Sequence, residues 1–502
     1  MDRAHIEITM LRHSFVTACL LAAALLTGPA AVGPVDAATA KNDPVDVLIV
    51  LRTHPVRAAT SAPTNAFARR AQQVARLRDE AEAGQQDLLQ WLAARHYPNR
   101  RYWVVNAIAA RVDRADLATL AQREDVQRIV IDAPAKVALP DPELARSQPL
   151  PAAPSAVAWG VERIRAPEVW ALGYTGQGVV IGGQDTGYDW DHPALRDKYR
   201  GWNGTTADHN YNWHDAIHAV DWPGQGNPCG FDTLAPCDDG SHGTHTMGTM
   251  VGDDGGSNQV GVAPGARWIG CRNMQQGDGR PSTYIECFQW LMAPTDLADE
   301  NPNPALAADV INNSWGCPPS EGCTAGLTAT MQTVVANVRA AGIVVVASAG
   351  NSGSSCGTVA DPPPTFLESF SVGATDMSNV IAGFSSRGPT PAGLLKPDVV
   401  APGVSVRSTV PNGGYGTLSG TSMAGPHVAG AVALLISADP TLRGDPDAIQ
   451  ATLESTATPM TSAQNCGAFP GNTVPNAVFG RGLVDVRAAV AARSIFFVSG
   501  FE

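Results

Sequence analysis

The chain has 502 residues, with 34 Lys and Arg against 47 Asp and Glu, a net charge of −13, and 44% apolar and 16% charged residues. That length allows two or three domains around a large buried core. The composition excludes a wholly disordered chain, and the acidic balance argues against a nucleic-acid partner. The charge is uneven: residues 41–150 hold 16 Lys and Arg against 13 Asp and Glu, whereas residues 151–502 hold 16 against 31.

Residues 1–40 read as an export signal. Arg12 and His13 precede an apolar run from Phe15 to Leu26, too short to span a bilayer, and Ala38-Thr39-Ala40 fits a cleavage site. The protein is therefore expected to be secreted or periplasmic, and no later run suggests a membrane span. Residues 41–139 form a first domain. A strand is expected at 44–52, a helix at 65–96, a strand at 102–111, a helix at 113–123 with Asp113 near its cap, and a strand at 126–131. A Pro-rich linker at 140–155 marks a domain boundary.

From 156 to 492 the pattern turns to alternating strands and helices. Continuous apolar strands are expected at 179–183, running on to Asp185, and at 266–271, 310–314 and 343–348, with helices at 242–252, 281–293, 325–341 and 422–438. Such runs suit a parallel sheet covered by helices on both faces. Active groups in such folds collect at the carboxyl ends of strands, where Asp185, Ser314 and Asn351 fall. Residues 493–502 form a tail.

Cysteine usage agrees with export. Beyond Cys19 there are eight: Cys229, Cys237, Cys271, Cys287, Cys317, Cys323, Cys356 and Cys466. An even set in an exported chain favours disulfides. The short loops 229–237, 271–287 and 317–323 suggest local pairs and leave Cys356 with Cys466, one of the 105 connectivities that eight cysteines allow.

Three segments carry the chemistry. Ser422 stands in Gly-Thr-Ser-Met-Ala-Gly-Pro, where small residues permit a tight turn and the following apolar run makes a buried helix with Pro426 in its first turn. A serine at a helix N-terminus meets the positive end of the dipole, which favours a developing oxyanion. His242 opens His-Gly-Thr-His, and an imidazole can accept a serine proton near neutral pH. His245 makes a metal pair the competing idea, but the glutamate of a His-Glu-x-x-His zinc site is missing. Asp185 ends a buried strand before Thr186-Gly187 and can hold one imidazole nitrogen. Asp189 and Asp191 lie past the turn and rank lower. Asn351 follows another apolar strand, where a side-chain amide can donate to an oxyanion. The order Asp, His, Ser is one of those in which unrelated folds assemble this trio.

These segments, with Asn312-Asn313-Ser314-Trp315-Gly316, Ala349-Gly350-Asn351, Phe384-Ser385-Ser386-Arg387-Gly388-Pro389 and the stretch from Lys396 to Gly403, resemble the signatures of subtilisin-like serine peptidases over about 156–492. The surroundings of Cys271, Cys287 and Cys317 look most like the bacillopeptidase F branch. The resemblance implies an α/β subtilisin-like domain preceded by a small α+β ferredoxin-like propeptide. It implies Asp185, His242 and Ser422 as triad, Asn351 as oxyanion donor, and Ser314, Trp315, Gly316 and Gly350 along the substrate. It implies a secreted endopeptidase acting on polypeptides through an acyl-enzyme, made as a precursor, monomeric, with its own propeptide as intramolecular inhibitor. No cofactor is needed for the chemistry, and a structural calcium is compatible with the family, though no metal ligands are assigned. Trp315 hints at an apolar or aromatic subsite. The 57 residues from Asp185 to His242 are a departure, with a Trp-, Gly- and Pro-rich insert that holds Cys229 and Cys237 and is expected to rim the cleft. The alternative of another class is a non-catalytic exported binding protein on a peptidase scaffold.

Overall fold

The computed structural model describes residues 31–32, 43–52, 65–133, 135–136, 157–218, 226–318 and 323–499, with no side chains described in 494–499. The export signal apart from Ala31–Val32, the linker at 140–155 and the last three residues of the tail lie outside the described residues.

The N-terminal domain is built on β1 (Pro44–Leu51), α1 (Ala66–Ala93), β2 (Asn99–Tyr102), β3 (Ala107–Asp113), α2 (Leu117–Ala121) and β4 (Val126–Ile131). Its antiparallel sheet has the order β4-β1-β3-β2, and Ala31–Val32 adds parallel to β4. The single strand expected at 102–111 is a hairpin instead. The chain turns at 103–106, where Asn106 adopts φ 32°. Gln85 on α1 holds that turn by donating to the carbonyl of Tyr102 and to Asn106 Oδ1 at 2.8 and 3.2 Å. The result is the β-α-β-β-α-β order of a ferredoxin-like unit. Asp113 stands at the N-cap of the 3-10 turn Arg114–Asp116 that leads into α2, but its carboxylate makes no capping bond and accepts from the Tyr97 hydroxyl at 3.0 Å.

The larger domain holds β5 (Val180–Asp185), β6 (Trp213–Asp215), α3 (His242–Val251), β7 (Arg267–Arg272), α4 (Pro281–Met292), β8 (Val310–Asn313), α5 (Ala325–Ala340), β9 (Val344–Ser348), β10 (Phe370–Thr375), β11 (Val399–Pro402), a hairpin of β12 (Val406–Val410) and β13 (Gly414–Leu418), α6 (Thr421–Ala438), α7 (Pro446–Thr456) and α8 (Val486–Ser499). Seven strands pair in parallel in the order β11-β10-β9-β8-β5-β7-β6. Both faces are covered, so the strands read as apolar runs rather than alternations. Val344 and Val346 point into the cluster with α3 and α6, while Val345 points into the cluster with α4 and α5. α6 is long and apolar enough to cross a membrane by composition, yet 89% of it is buried, as befits a core helix. The chain leaves β5 toward one edge and β8 toward the other, so a crevice opens at their carboxyl ends.

Four disulfides pair Cys229 with Cys237, Cys271 with Cys287, Cys317 with Cys323 and Cys356 with Cys466, the arrangement that loop length favours. The insert before His242 contributes the edge strand β6 and is held by buried Arg272, which donates to Asp239 at 2.7 Å and to Asn227 at 2.6 Å.

The N-terminal domain rests on α4 and α5. Leu48, Val50 and Tyr102 share a buried cluster with Phe288, Leu327 and Met331. Ser282, Glu286 and Gln289, at i, i+4 and i+7 on α4, present one polar stripe to it. Asp132 accepts from the Ser282 backbone and hydroxyl at 2.9 and 2.6 Å and so caps α4 from outside. Glu286 accepts from Arg100 at 2.9 Å and from the Tyr102 hydroxyl at 3.0 Å. Gln289 accepts from the backbone of Trp103 at 2.6 Å.

Candidate active site

Asp185 is the last residue of β5, and α3 starts at His242. His242 Nδ1 donates to Asp185 Oδ1 at 2.7 Å, with both side chains at 2% exposure or less. The same oxygen accepts from the Thr186 backbone at 2.8 Å. This approach needs two glycines. A Cβ on Gly243 would fall 2.1 Å from the Gly187 carbonyl, and one on Gly187, at φ +110°, would fall 1.8 Å from the Cys237 carbonyl. Asp238 pins the start of α3. Its oxygens accept from Thr186 Oγ1 at 2.8 Å, from the backbones of Gly240, Ser241 and Thr244 at 2.9 Å, and from Thr244 Oγ1 at 2.5 Å. Burial raises the Asp238 carboxyl, against the pull of those donors.

His245 is turned the other way. Its Nε2 donates to the Val406 carbonyl at 3.0 Å, and burial drives its pKa down to about 3, so it is a neutral packing residue. Asp189 accepts from the Asn412 backbone at 2.8 Å, away from His242. Among the described residues no three His, Cys, Asp or Glu gather as a metal site.

Ser422 is the second residue of α6, where backbone N–H groups have no partner in a preceding turn. Pro426 is the sixth residue, not in the first turn, and lacks the N–H that the Ser422 carbonyl would accept in a regular helix. That carbonyl accepts instead from Ser314 Oγ at 2.9 Å, and the Thr421 carbonyl accepts from Ser348 Oγ at 2.8 Å. The ends of β8 and β9 thereby clamp the helix start. Ser422 Oγ donates to the Ser314 carbonyl at 3.2 Å. His242 Nε2 is buried with no hydrogen-bond partner among the described residues. Free enzymes commonly hold such pairs apart until substrate arrives.

Asn351 lies three residues past β9. Its Oδ1 accepts from both the backbone and the hydroxyl of Thr421, each at 2.9 Å. That fixes the amide with its NH2 group facing away from Thr421. Asn351, Ser422, Ser314, Gly316, Gly350 and Trp315 line one cavity of about 250 Å³. The Trp315 ring is stacked on Tyr284 at 3.9 Å and 7° and is 3% exposed, so it is committed largely to the core. The structure thus brings Ser422, Asn351, Ser314, Trp315, Gly316 and Gly350 to one cavity and pairs His242 with Asp185 outside its lining. Asp238, Thr421 and Ser348 were missed; their work is to hold other groups, and only the Asp-Asp-Gly-Ser-His spacing hints at the first.

A model of the Subtilase family matches residues 176–482. The chain belongs to the subtilase family. This subtilase is 37% identical to bacillopeptidase F of Bacillus subtilis (strain 168) over 448 residues, which is 86% of this chain but 29% of that protein. It is 33% identical to subtilisin E of Bacillus subtilis (strain 168) over 392 residues, 78% of this chain and 82% of that protein. It is 34% identical to alkaline elastase YaB of Bacillus sp. (strain YaB) over 367 residues, 73% of this chain and 77% of that protein. Membership makes the subtilase a serine peptidase by family, in a class whose chemistry needs no cofactor.

Proposed function

We propose that the chain is an exported serine endopeptidase made as an inactive precursor. Ser422 Oγ attacks the peptide carbonyl, and His242 Nε2 takes its proton and returns it to the leaving amine. Asp185 orients the ring and stabilises the imidazolium. The Asn351 amide and the Ser422 backbone N–H receive the oxyanion. Water then hydrolyses the acyl-enzyme by the same route. The observation that carries this reading is the bond from His242 to Asp185, with Nε2 left unclaimed beside a helix that presents Ser422.

Residues 41–139 act as the propeptide and 140–155 as the segment that is cut. In support, Ala135–Lys136 adds antiparallel to Asp278–Gly279, so the end of the N-terminal domain runs as a strand on the larger domain. The export signal at 1–40 delivers the precursor outside the cytoplasm. Labelling with a fluorophosphonate probe tests the reading. The mature protein takes up one label and Ser422→Ala takes up none; an unlabelled, folded wild type would contradict it.

A further inference from the structure

The cavity beside Ser422 holds one ionisable side chain among the described residues, Asp361, in the turn before β10. The rest of its lining is small, hydroxylated or apolar, including Ser314, Gly316, Gly350 and Pro364. Gly316 lines the same cavity beside Asp361: a Cβ there would stand 3.7 Å from the Asp361 Cβ, in ordinary contact. Other partly buried acids of this molecule are tied down. Asp238 has five donors, Asp398 accepts from Lys396 at 2.7 Å, and Asp439 accepts from Arg493 at 2.7 Å. Asp361 makes no hydrogen bond or ion pair with the described residues. Burial alone lifts its carboxyl above the usual range.

An unpaired, half-buried anion is costly unless an opposite charge meets it. A ligand bearing a cation on a long stem would supply that charge. The excess of acids over 151–502 also favours basic ligands in general. The geometry points to Asp361 as the specificity-determining residue: it pairs with a Lys or Arg side chain on the acyl side of the scissile bond, so the enzyme cuts after basic residues. This rests on the serine peptidase reading above and names its substrate class. The aromatic subsite suggested by Trp315 gives way, because that ring is committed to Tyr284.

The test compares peptide substrates that differ only in the residue before the cut, Arg, Lys, Leu or Phe, on mature wild type and Asp361→Asn. Fluorophosphonate labelling of both preparations reports an intact Ser422. Wild type should favour Arg and Lys in kcat/KM. Asp361→Asn should lose about 10–100-fold on the basic substrates, the scale of a hydrogen bond to a charged group, while Leu and Phe stay within a few-fold. Asp361→Glu should keep part of the basic preference. Labelled wild type that favours Leu or Phe, or an Arg-to-Leu ratio unchanged in Asp361→Asn, would overturn the proposal and leave the serine peptidase intact. Absence of both labelling and cleavage would overturn the two together.

Discussion

The two domains use polar groups in opposite ways. In the larger domain, neutral hydrogen bonds from Ser314, Ser348 and Thr421 lock the start of α6, while the Asp238 carboxylate holds the start of α3 and Asp185 faces His242. These contacts lie deep between a parallel sheet and its helices. The N-terminal domain, by contrast, meets α4 through ionisable groups around a buried carboxylate: its Arg100 and Tyr102 bond Glu286, which His214 and His218 of the larger domain also engage. The start of α6 is fixed by buried neutral bonds, whereas the contact with the N-terminal domain adds ion pairs at buried Glu286 whose strength depends on protonation.

The largest effect that sharpens this contrast is at the site. Asn351→Ala is expected to lower kcat about 10²–10³-fold with little change in KM. That magnitude is the one known for subtilisin, the reference case for losing such a donor. Steady-state kinetics on a peptide substrate check it, and unchanged turnover would remove Asn351 from the oxyanion role.

The cover should yield to a smaller push. Arg100→Ala removes a cation from buried Glu286 and is expected to weaken the hold of the N-terminal domain by about 1.5–3 kcal/mol. In a Ser422→Ala background, an added protease should then cut residues 43–136 roughly tenfold faster or more. Equal rates would mean that the apolar cluster around Tyr102 and Phe288 carries the attachment alone.

The smallest effect is a pH slope. Burial pulls the His214 pKa down, but hydrogen bonds to Asp299 and Glu286 outweigh it and raise the value from 6.5 to about 9. A raised value means that the folded state binds a proton that the unfolded state gives up. The stabilisation is therefore whole below about pH 6.5 and fades as pH climbs through about 9. His218, also raised despite its burial, shares Glu286 and adds to the same slope. Thermal unfolding of the Ser422→Ala precursor should lose stability between these pH values, and His214→Gln should flatten that loss. An identical slope in both would assign it elsewhere.

How far the sequence reveals this depends on locality. Asp185, His242, Ser422 and Asn351 each sit at a strand or helix end within a short motif, so apolar runs and turn residues locate them. The hairpin at 99–113 was hidden because Tyr-Trp-Val-Val-Asn-Ala-Ile is one apolar run whose turn contains no Gly or Pro. β6 is only three residues long, β10 mixes Ser371, Gly373 and Thr375 with its apolar residues, and β11 is four residues ending in Pro402, so their place in the sheet defines them more than their pattern does. Asp361 reads as a turn residue before three prolines; its meaning depends on Gly316, 45 residues earlier, lining the same cavity.

The central claim is that the site in the larger domain cuts away the domain that covers its helices. Intact mass and N-terminal sequence of secreted wild type and Ser422→Ala, prepared side by side, test it most directly. The account predicts a wild-type chain that begins within the 140–155 linker and a Ser422→Ala chain that keeps residues 41–139. A Ser422→Ala chain trimmed like wild type would contradict it.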